Sequence, residues 1–174
     1  MTKKKTAVII ITALVLCAAV LTAAACTEEI TPKLALEYLS GVSEGVAVAD
    51  VSVTVTDSSN AVIYSYPEPA QSVPADIQSV VTAFVPDMNG NAAFNYDPLA
   101  FTGTAVAEAD GIATFTAQIS DLETFLGVDG DYSDGTITAT IDVATTNVLS
   151  VDISYVYNGG GSDFTVTLNA VYNY

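Results

Sequence analysis

The last third of the chain alternates apolar and polar residues with a period of two, and this pattern constrains the fold more than any other sequence feature. The alternation covers residues 137–143, 149–157 and 164–172, which are separated by short turns at 144–147 and 158–162. Successive side chains of a β-strand point to opposite faces, so each segment predicts a strand with one apolar and one polar face. Short turns join antiparallel neighbours. The pattern therefore predicts an antiparallel meander covered on its apolar side.

Shorter patterns earlier in the chain predict further strands. These strands are predicted over residues 46–56, 61–66, 92–96, 101–107 and 112–119. Together with the meander they predict one α+β domain over residues 31–174. We expect a curved, half-barrel-like antiparallel sheet of about seven or eight strands, packed on two or three short helices.

Three segments have the signals of short helices. They are predicted over residues 31–41, 77–85 and 120–127. In the first, Leu34 and Tyr38 lie four residues apart, as do Ala35 and Leu39, and these four form one apolar stripe. Gly41 predicts the end of the helix. In the third, Ser120 has the position of a helix cap.

The N-terminus has the three parts of an export signal: a basic start, an apolar run and small residues. Lys3–Lys5 precede an apolar run over residues 7–21, and Ala23–Ala25 stand directly before Cys26. This segment resembles the lipobox of bacterial lipoproteins, in which small residues precede a cysteine that is lipidated and becomes residue one. The resemblance implies a signal peptide over residues 1–25.

The same resemblance implies a membrane anchor on Cys26 and a short tether over residues 26–30. The protein would then be held by lipid on the outer face of a bacterial cell membrane or in the periplasm. Ala23 stands where that family most often has leucine. Two alternatives remain open: cleavage after Ala25 by an ordinary signal peptidase, which would leave Cys26 a free thiol, and a retained transmembrane anchor.

Charge excludes one class of partner. After residue 25, twenty acidic residues stand against Lys33 alone, which gives the remaining 149 residues a net charge of −19. Nucleic-acid phosphates and anionic lipid headgroups would repel such a surface. We therefore expect no nucleic-acid partner, and we expect membrane attachment through lipid. Solubility is the ordinary role of such a charge, and cation binding is the alternative.

Residue types also argue against an enzyme. The chain has no histidine, and Lys33 is the only lysine after the signal. Serine and cysteine hydrolases of the usual kind and histidine-based zinc sites are therefore excluded. Paired carboxylates can cleave glycosides, but no pair stands out among twenty acids. The sequence predicts a non-enzymatic protein without a cofactor.

The better of two candidate metal sites is the acidic loop that contains Asp129, Asp131 and Asp134, and the weaker is the loop with Asp87, Asn89 and Asn91. Carboxylates grouped in a loop are the hard oxygen ligands that calcium prefers. The spacing departs from an EF-hand, since Asp134 stands at the glycine position and Thr140 at the final glutamate position. Acidic residues and glycines are also ordinary turn residues, so a plain loop is the alternative.

The order of the last elements leads to a second resemblance. A capped helix, the strand 136–143 and two closing strands are similar to bacterial lipoproteins with a half-barrel sheet around helices, the LolA- and LppX-like carriers. That resemblance implies a lipid chain held between sheet and helices. The residues expected to line such a ligand site are Val51, Val53, Ile137, Ile141, Ile153, Tyr155 and Val166.

The leading hypothesis is therefore a lipid-anchored extracytoplasmic lipoprotein that holds a hydrophobic ligand. The alternative is a structural or adhesive cell-surface module without a small ligand. Tyr155, Tyr157, Tyr172 and Tyr174 cluster in the last two strands, where core packing and the lining of a groove are both open. An internal cavity would favour the carrier, whereas a filled interior would favour the adhesive module.

Overall fold

A computed structural model of the chain describes residues 29–42, 48–67, 94–159 and 161–174. In chain order, the elements are helix α1 (Pro32–Val42), strands β1 (Val48–Thr56) and β2 (Val62–Tyr66), a 3-10 turn (Pro98–Ala100), strands β3 (Phe101–Ala109) and β4 (Ile112–Ile119), helix α2 (Leu122–Leu126), and strands β5 (Tyr132–Asp142), β6 (Val148–Gly159) and β7 (Ser162–Tyr172). The predicted signal, Cys26, the helix expected over residues 77–85 and the weaker candidate metal loop with Asp87, Asn89 and Asn91 lie outside the described residues.

The described strands form one antiparallel sheet of seven, in the order β2-β1-β7-β6-β5-β4-β3. Strands β3 to β7 follow one another as neighbours, as a meander does. Strand β1 lies beside β7, so the N-terminal hairpin extends the sheet beyond its last strand. The prediction of an α+β domain built on an antiparallel sheet is confirmed.

The alternating pattern of the sequence sets which face is buried. In β5, Ile137, Ala139 and Ile141 are buried, whereas the threonines between them point to the other face. Alternate residues of β4, β6 and β7 are buried in the same way and join one core cluster with residues of α1. One face of the sheet thus forms the core.

Helix α1 begins as predicted and ends one residue later. The backbone N–H of Leu34 donates to Thr31 Oγ1 at 3.3 Å, which caps the first turn. The helix contacts β3 and β6. In the predicted stripe, Ala35 and Leu39 are buried in the core, whereas Leu34 and Tyr38 are half-buried. Gly41 lies inside the helix and does not end it.

Two local predictions were wrong. Helix α2 is capped by Asp121, whose Oδ1 accepts from the Thr124 N–H at 2.9 Å, and not by Ser120, whose hydroxyl donates to the Ala100 carbonyl at 3.1 Å. No strand forms over residues 94–97. There the Asn95 N–H donates to the carbonyl of Phe125 at 2.9 Å, so this segment is tied to α2 instead of to a strand.

An aromatic cluster fills the space between that segment and α2. Phe94 stacks on Phe125 with ring centroids 4.9 Å apart, and Tyr96 and Phe101 meet the same ring edge-on at 5.7 and 5.6 Å. Stacked and edge-to-face pairs at these separations are favourable beyond the area that they bury. The cluster fixes α2 against the start of β3.

Candidate functional site

The structure brings together the residues predicted to line a hydrophobic ligand site. Six of the seven (Val53, Ile137, Ile141, Ile153, Tyr155 and Val166) are at most 2% exposed, and Val51 is half-buried. Cross-strand pairing places Ile137 opposite Ile153 and Tyr155 opposite Val166. These side chains pack in the same core cluster as α1. At these positions the interior of the described domain is filled by side chains.

The tyrosines of the last strands serve mainly as packing groups. Tyr155 is buried, and its ring meets that of Tyr132 edge-on at 5.7 Å. Burial raises the pKa of Tyr155 far above its ordinary value, with a smaller contribution from Tyr132. Tyr157 and Tyr172 are half-buried against the core, and the exposed Tyr174 donates its hydroxyl to the Val148 carbonyl at 2.9 Å.

The acidic loop shows no metal-binding arrangement. Among the described residues, no group of three histidine, cysteine or acidic side chains could hold a metal ion. Asp131 bridges to β6 instead: its carbonyl accepts from the Asn158 N–H at 2.8 Å and its Oδ1 from Asn158 Nδ2 at 3.3 Å. Asp134 has a left-handed backbone with φ of 54°. It lines a pocket to which Asp129 and Asp131 do not contribute.

The outward face of the sheet is rich in hydroxyl and amide groups. The pairing of neighbouring strands aligns one row across all seven, and its members are Thr102, Gln118, Thr136, Ser154, Thr167, Thr54 and Ser65. All of them are exposed or half-buried. A parallel row contains Thr116, Thr138, Asp152 and Asn169, in which Asn169 Nδ2 donates to Asp152 Oδ1 at 2.6 Å. We call this surface the polar face.

A pocket of about 240 Å³ lies at one end of the first row. Its lining residues are Thr102, Gln118, Ile119, Ser120, Asp134, Gly135 and Thr136. Two β-bulges meet there, one in β3 between Thr102 and Ala105 and one in β5 between Ser133 and Thr136. Bulges bend a strand and re-aim its side chains. The register is shifted between β3 and β4 and between β5 and β6, whereas β4 and β5 pair regularly between them. We call this site the polar pocket.

Cations are lacking on the polar face. In the parts of the chain that the structure describes, Lys33 is the only basic residue. It lies on α1 beside Glu37, with Nζ and Oε1 3.5 Å apart. The strands contain no lysine, arginine or histidine. The polar face therefore offers hydroxyls, amides and carboxylates, without a positive charge to hold an anionic ligand.

The alternating sequence pattern predicts the outward threonines only as part of the polar face of each strand. The signal that could have identified the row was the recurrence of hydroxyl residues at every second position, combined with strand order. Strand order was missing, because the pairing of β1 with β7 joins residues more than 100 positions apart. The polar pocket needs the bulges as well, and the alternating pattern does not reveal them.

No family model matches the chain, and comparison with curated proteins and with solved structures likewise finds no match. Within the described ranges, neither helix has the length and apolar character needed to cross a membrane.

Proposed function

We propose that this chain is an exported, lipid-anchored, non-enzymatic surface module that binds its partner through the polar face of the sheet. One observation supports this choice above the others. Six of the residues expected to line a hydrophobic ligand site are at most 2% exposed in a packed core, whereas the hydroxyl rows lie at the surface. Binding groups must be reachable by the partner, and along these rows the reachable groups are polar.

The anchoring half of the proposal rests on the N-terminal sequence. Lys3–Lys5, the apolar run and Ala23–Ala25 before Cys26 are the parts of a lipoprotein signal. Helix α1 begins at Pro32, so the tether is only a few residues long. An extended residue spans at most about 3.6 Å, so the domain would lie within about 20 Å of the membrane. The protein would sit outside the cytoplasm, on the outer face of a cell membrane or in the periplasm.

The non-enzymatic half rests on the available side chains. A glycosidase needs one carboxyl group held protonated, which requires a raised pKa. The pKa values of Asp57, Asp121 and Asp142 are instead lowered, in each case by hydrogen bonds from neighbouring backbone or hydroxyl groups. The lack of histidine removes the usual general base.

A hydrophobic carrier of the half-barrel kind is the second candidate. The observation in its favour is the continuous apolar face, which runs across neighbouring strands from Ala113 in β4 to Val53 in β1 and shares its core with α1. A ligand would have to separate side chains that now pack together. Such opening costs the contacts that it breaks, so the filled core favours the adhesive module.

Native mass spectrometry separates the two candidates. The mature segment, with Cys26→Ser and secreted behind an ordinary cleavable signal, is purified from bacteria without detergent. We expect the mass of the bare polypeptide and no uptake of added fatty acid or phospholipid. A co-purifying mass that organic solvent removes would contradict the adhesive module and support the carrier.

A further inference from the structure

We propose that the polar pocket is a binding site for one sugar unit of a neutral oligosaccharide, and that the adjoining row of the polar face holds the following units. This inference rests on the proposed function and specifies its partner class. The pocket and the row share Thr102, Gln118 and Thr136, so the two features form one continuous surface.

The size and shape of the pocket suit a single sugar unit. Its volume of about 240 Å³ holds a ring with its hydroxyl groups, and it is open toward the polar face. The walls belong to β3, β4 and β5, where the two bulges interrupt the regular pleat. Gly135 allows this geometry, because a Cβ at that position would lie 2.9 Å from the Ile119 Cβ and carbonyl oxygen. The pocket lining combines Gly135 and Ile119 with the polar residues Thr102, Gln118 and Asp134.

The polar groups in the pocket complement sugar hydroxyls. Asp134 provides a carboxylate that accepts hydrogen bonds, and a charged acceptor binds a hydroxyl donor more strongly than a neutral one does. The Gln118 amide both donates and accepts, and the Thr136 hydroxyl oxygen accepts while its proton donates to the Ser154 carbonyl at 3.4 Å. Each hydroxyl of a sugar also donates and accepts, so the two sets of groups can satisfy one another without a metal.

The left-handed backbone of Asp134 belongs to the bulge in β5 and sets the position of its carboxylate. Its φ of 54° lies in the left-handed region, which aspartate adopts more readily than most residues with a Cβ. The pairing of β4 with β5 continues through Gly135 directly after it. The chain therefore holds a carboxylate at the rim of the pocket in a conformation that glycine would adopt more easily.

The net charge of the protein disfavours anionic polymers. The chain has a net charge of −16 and the described strands contain no basic residue, so an anionic polysaccharide or a phosphate-bearing polymer would be repelled. A neutral glycan meets no such repulsion. Seven strands spaced by about 4.8 Å make a row about 29 Å long, which is enough for several consecutive sugar units. The hydroxyls along the row can exchange hydrogen bonds with the polymer at each step.

The test is isothermal titration calorimetry on the full chain in mild detergent. The probes are four neutral hexasaccharides (maltohexaose, cellohexaose, mannohexaose and chitohexaose), with hexagalacturonate as the anionic comparison. We expect at least one neutral hexasaccharide to bind with a micromolar to low-millimolar Kd, and hexagalacturonate to bind at least 10-fold more weakly. Failure of all four neutral probes at 10 mM would overturn the inference.

Two matched variants test whether the polar pocket is the binding site. Asp134→Asn removes the carboxylate, and asparagine tolerates the left-handed backbone. Asp110→Asn is the control, because Asp110 has a nearly identical φ of 53° in the exposed β3–β4 turn and the charge change is the same. We expect Asp134→Asn to weaken binding of the responding hexasaccharide at least 10-fold and Asp110→Asn to change it less than 2-fold. Equal effects would show that the pocket is not the site.

A third variant tests the row beyond the pocket. Thr167→Val replaces one hydroxyl in β7 by a methyl group of similar size, on a strand where valine is favourable. Binding of the hexasaccharide should weaken several-fold, while binding of its monosaccharide should be unchanged. Unchanged hexasaccharide affinity would contradict the extended row. Failure of the parent proposal has a separate signature, since it appears as a solvent-removable hydrophobic mass in native mass spectrometry.

Discussion

The filled core can be tested by truncating Ile153, a side chain that the carrier hypothesis places at a ligand cavity. Ile153 lies in β6 between Ile137 of β5 and Leu168 of β7, and each of the three is 1% exposed. Ile153→Ala removes three carbons, which at about 0.8 kcal/mol per buried methylene lowers the free energy of unfolding by about 2.4 kcal/mol. A remaining void of about 50 Å³ adds about 1.2 kcal/mol at roughly 24 cal/mol per Å³. The expected total is about 3.6 kcal/mol.

Equilibrium urea denaturation of the mature domain measures this loss. With a slope of about 2 kcal/mol per molar urea, the midpoint should fall by about 1.8 M while the slope stays constant. Val171→Ala is the matched control, since Val171 is on the neighbouring β7 strand and 38% exposed, and it should cost less than about 1 kcal/mol. The two substitutions differ in the burial of the side chain and by one carbon in the size of the deletion.

The result that would refute the reasoning is a loss below about 1 kcal/mol for Ile153→Ala. Ile153 would then border a space that already exists, because truncation beside a void removes few contacts. Stabilisation of the parent protein by added fatty acid would point the same way, since a ligand that binds only the folded state raises its stability. Either outcome would support the hydrophobic carrier and contradict the adhesive module.

Three further predictions concern the backbone, the tyrosines and the anchor. Gly135→Ala should lower the free energy of unfolding by about 1–3 kcal/mol, because the added Cβ would lie 2.9 Å from Ile119. Gly41→Ala is the control and should not destabilise the protein, since no atom lies within 4 Å of the added Cβ. Equal melting temperatures of the two variants would contradict the close approach at Gly135. Burial, helped by Tyr174, raises the pKa of Tyr172 to about 12. The contribution of Tyr172 to stability should therefore be constant below about pH 10 and be lost as the pH rises toward about 12. Tyr172→Phe should reduce this loss, and an unchanged slope in alkaline denaturation would contradict the prediction. Cys26→Ser should abolish incorporation of labelled fatty acid in an expressing bacterium, and persistent labelling would contradict the lipid anchor.

Local patterns predicted the strands well because a strand with one buried face imposes its period on the sequence. The hairpin turn at Asp110 and Gly111 was also predictable, because the dipeptide Asp-Gly favours a tight turn. Both residues have the positive φ that such a turn requires. Capping was predicted less well: Ser120 and Asp121 are adjacent and both can cap a helix, and the contact with Ala100 decides between them. The strand expected at residues 92–96 failed at its end because Phe94 and Tyr96 pack on Phe125, which lies about 30 residues later.

The sequence by itself determined the class of the domain and the faces of its strands. These follow from side-chain period and residue type, which are local properties. Tertiary structure alone decided that β1 pairs with β7, that the outward hydroxyls align in rows, and that two bulges open a pocket beside Asp134. These features depend on register between distant segments, and a period-two pattern specifies which face a side chain occupies without specifying its neighbour on the next strand.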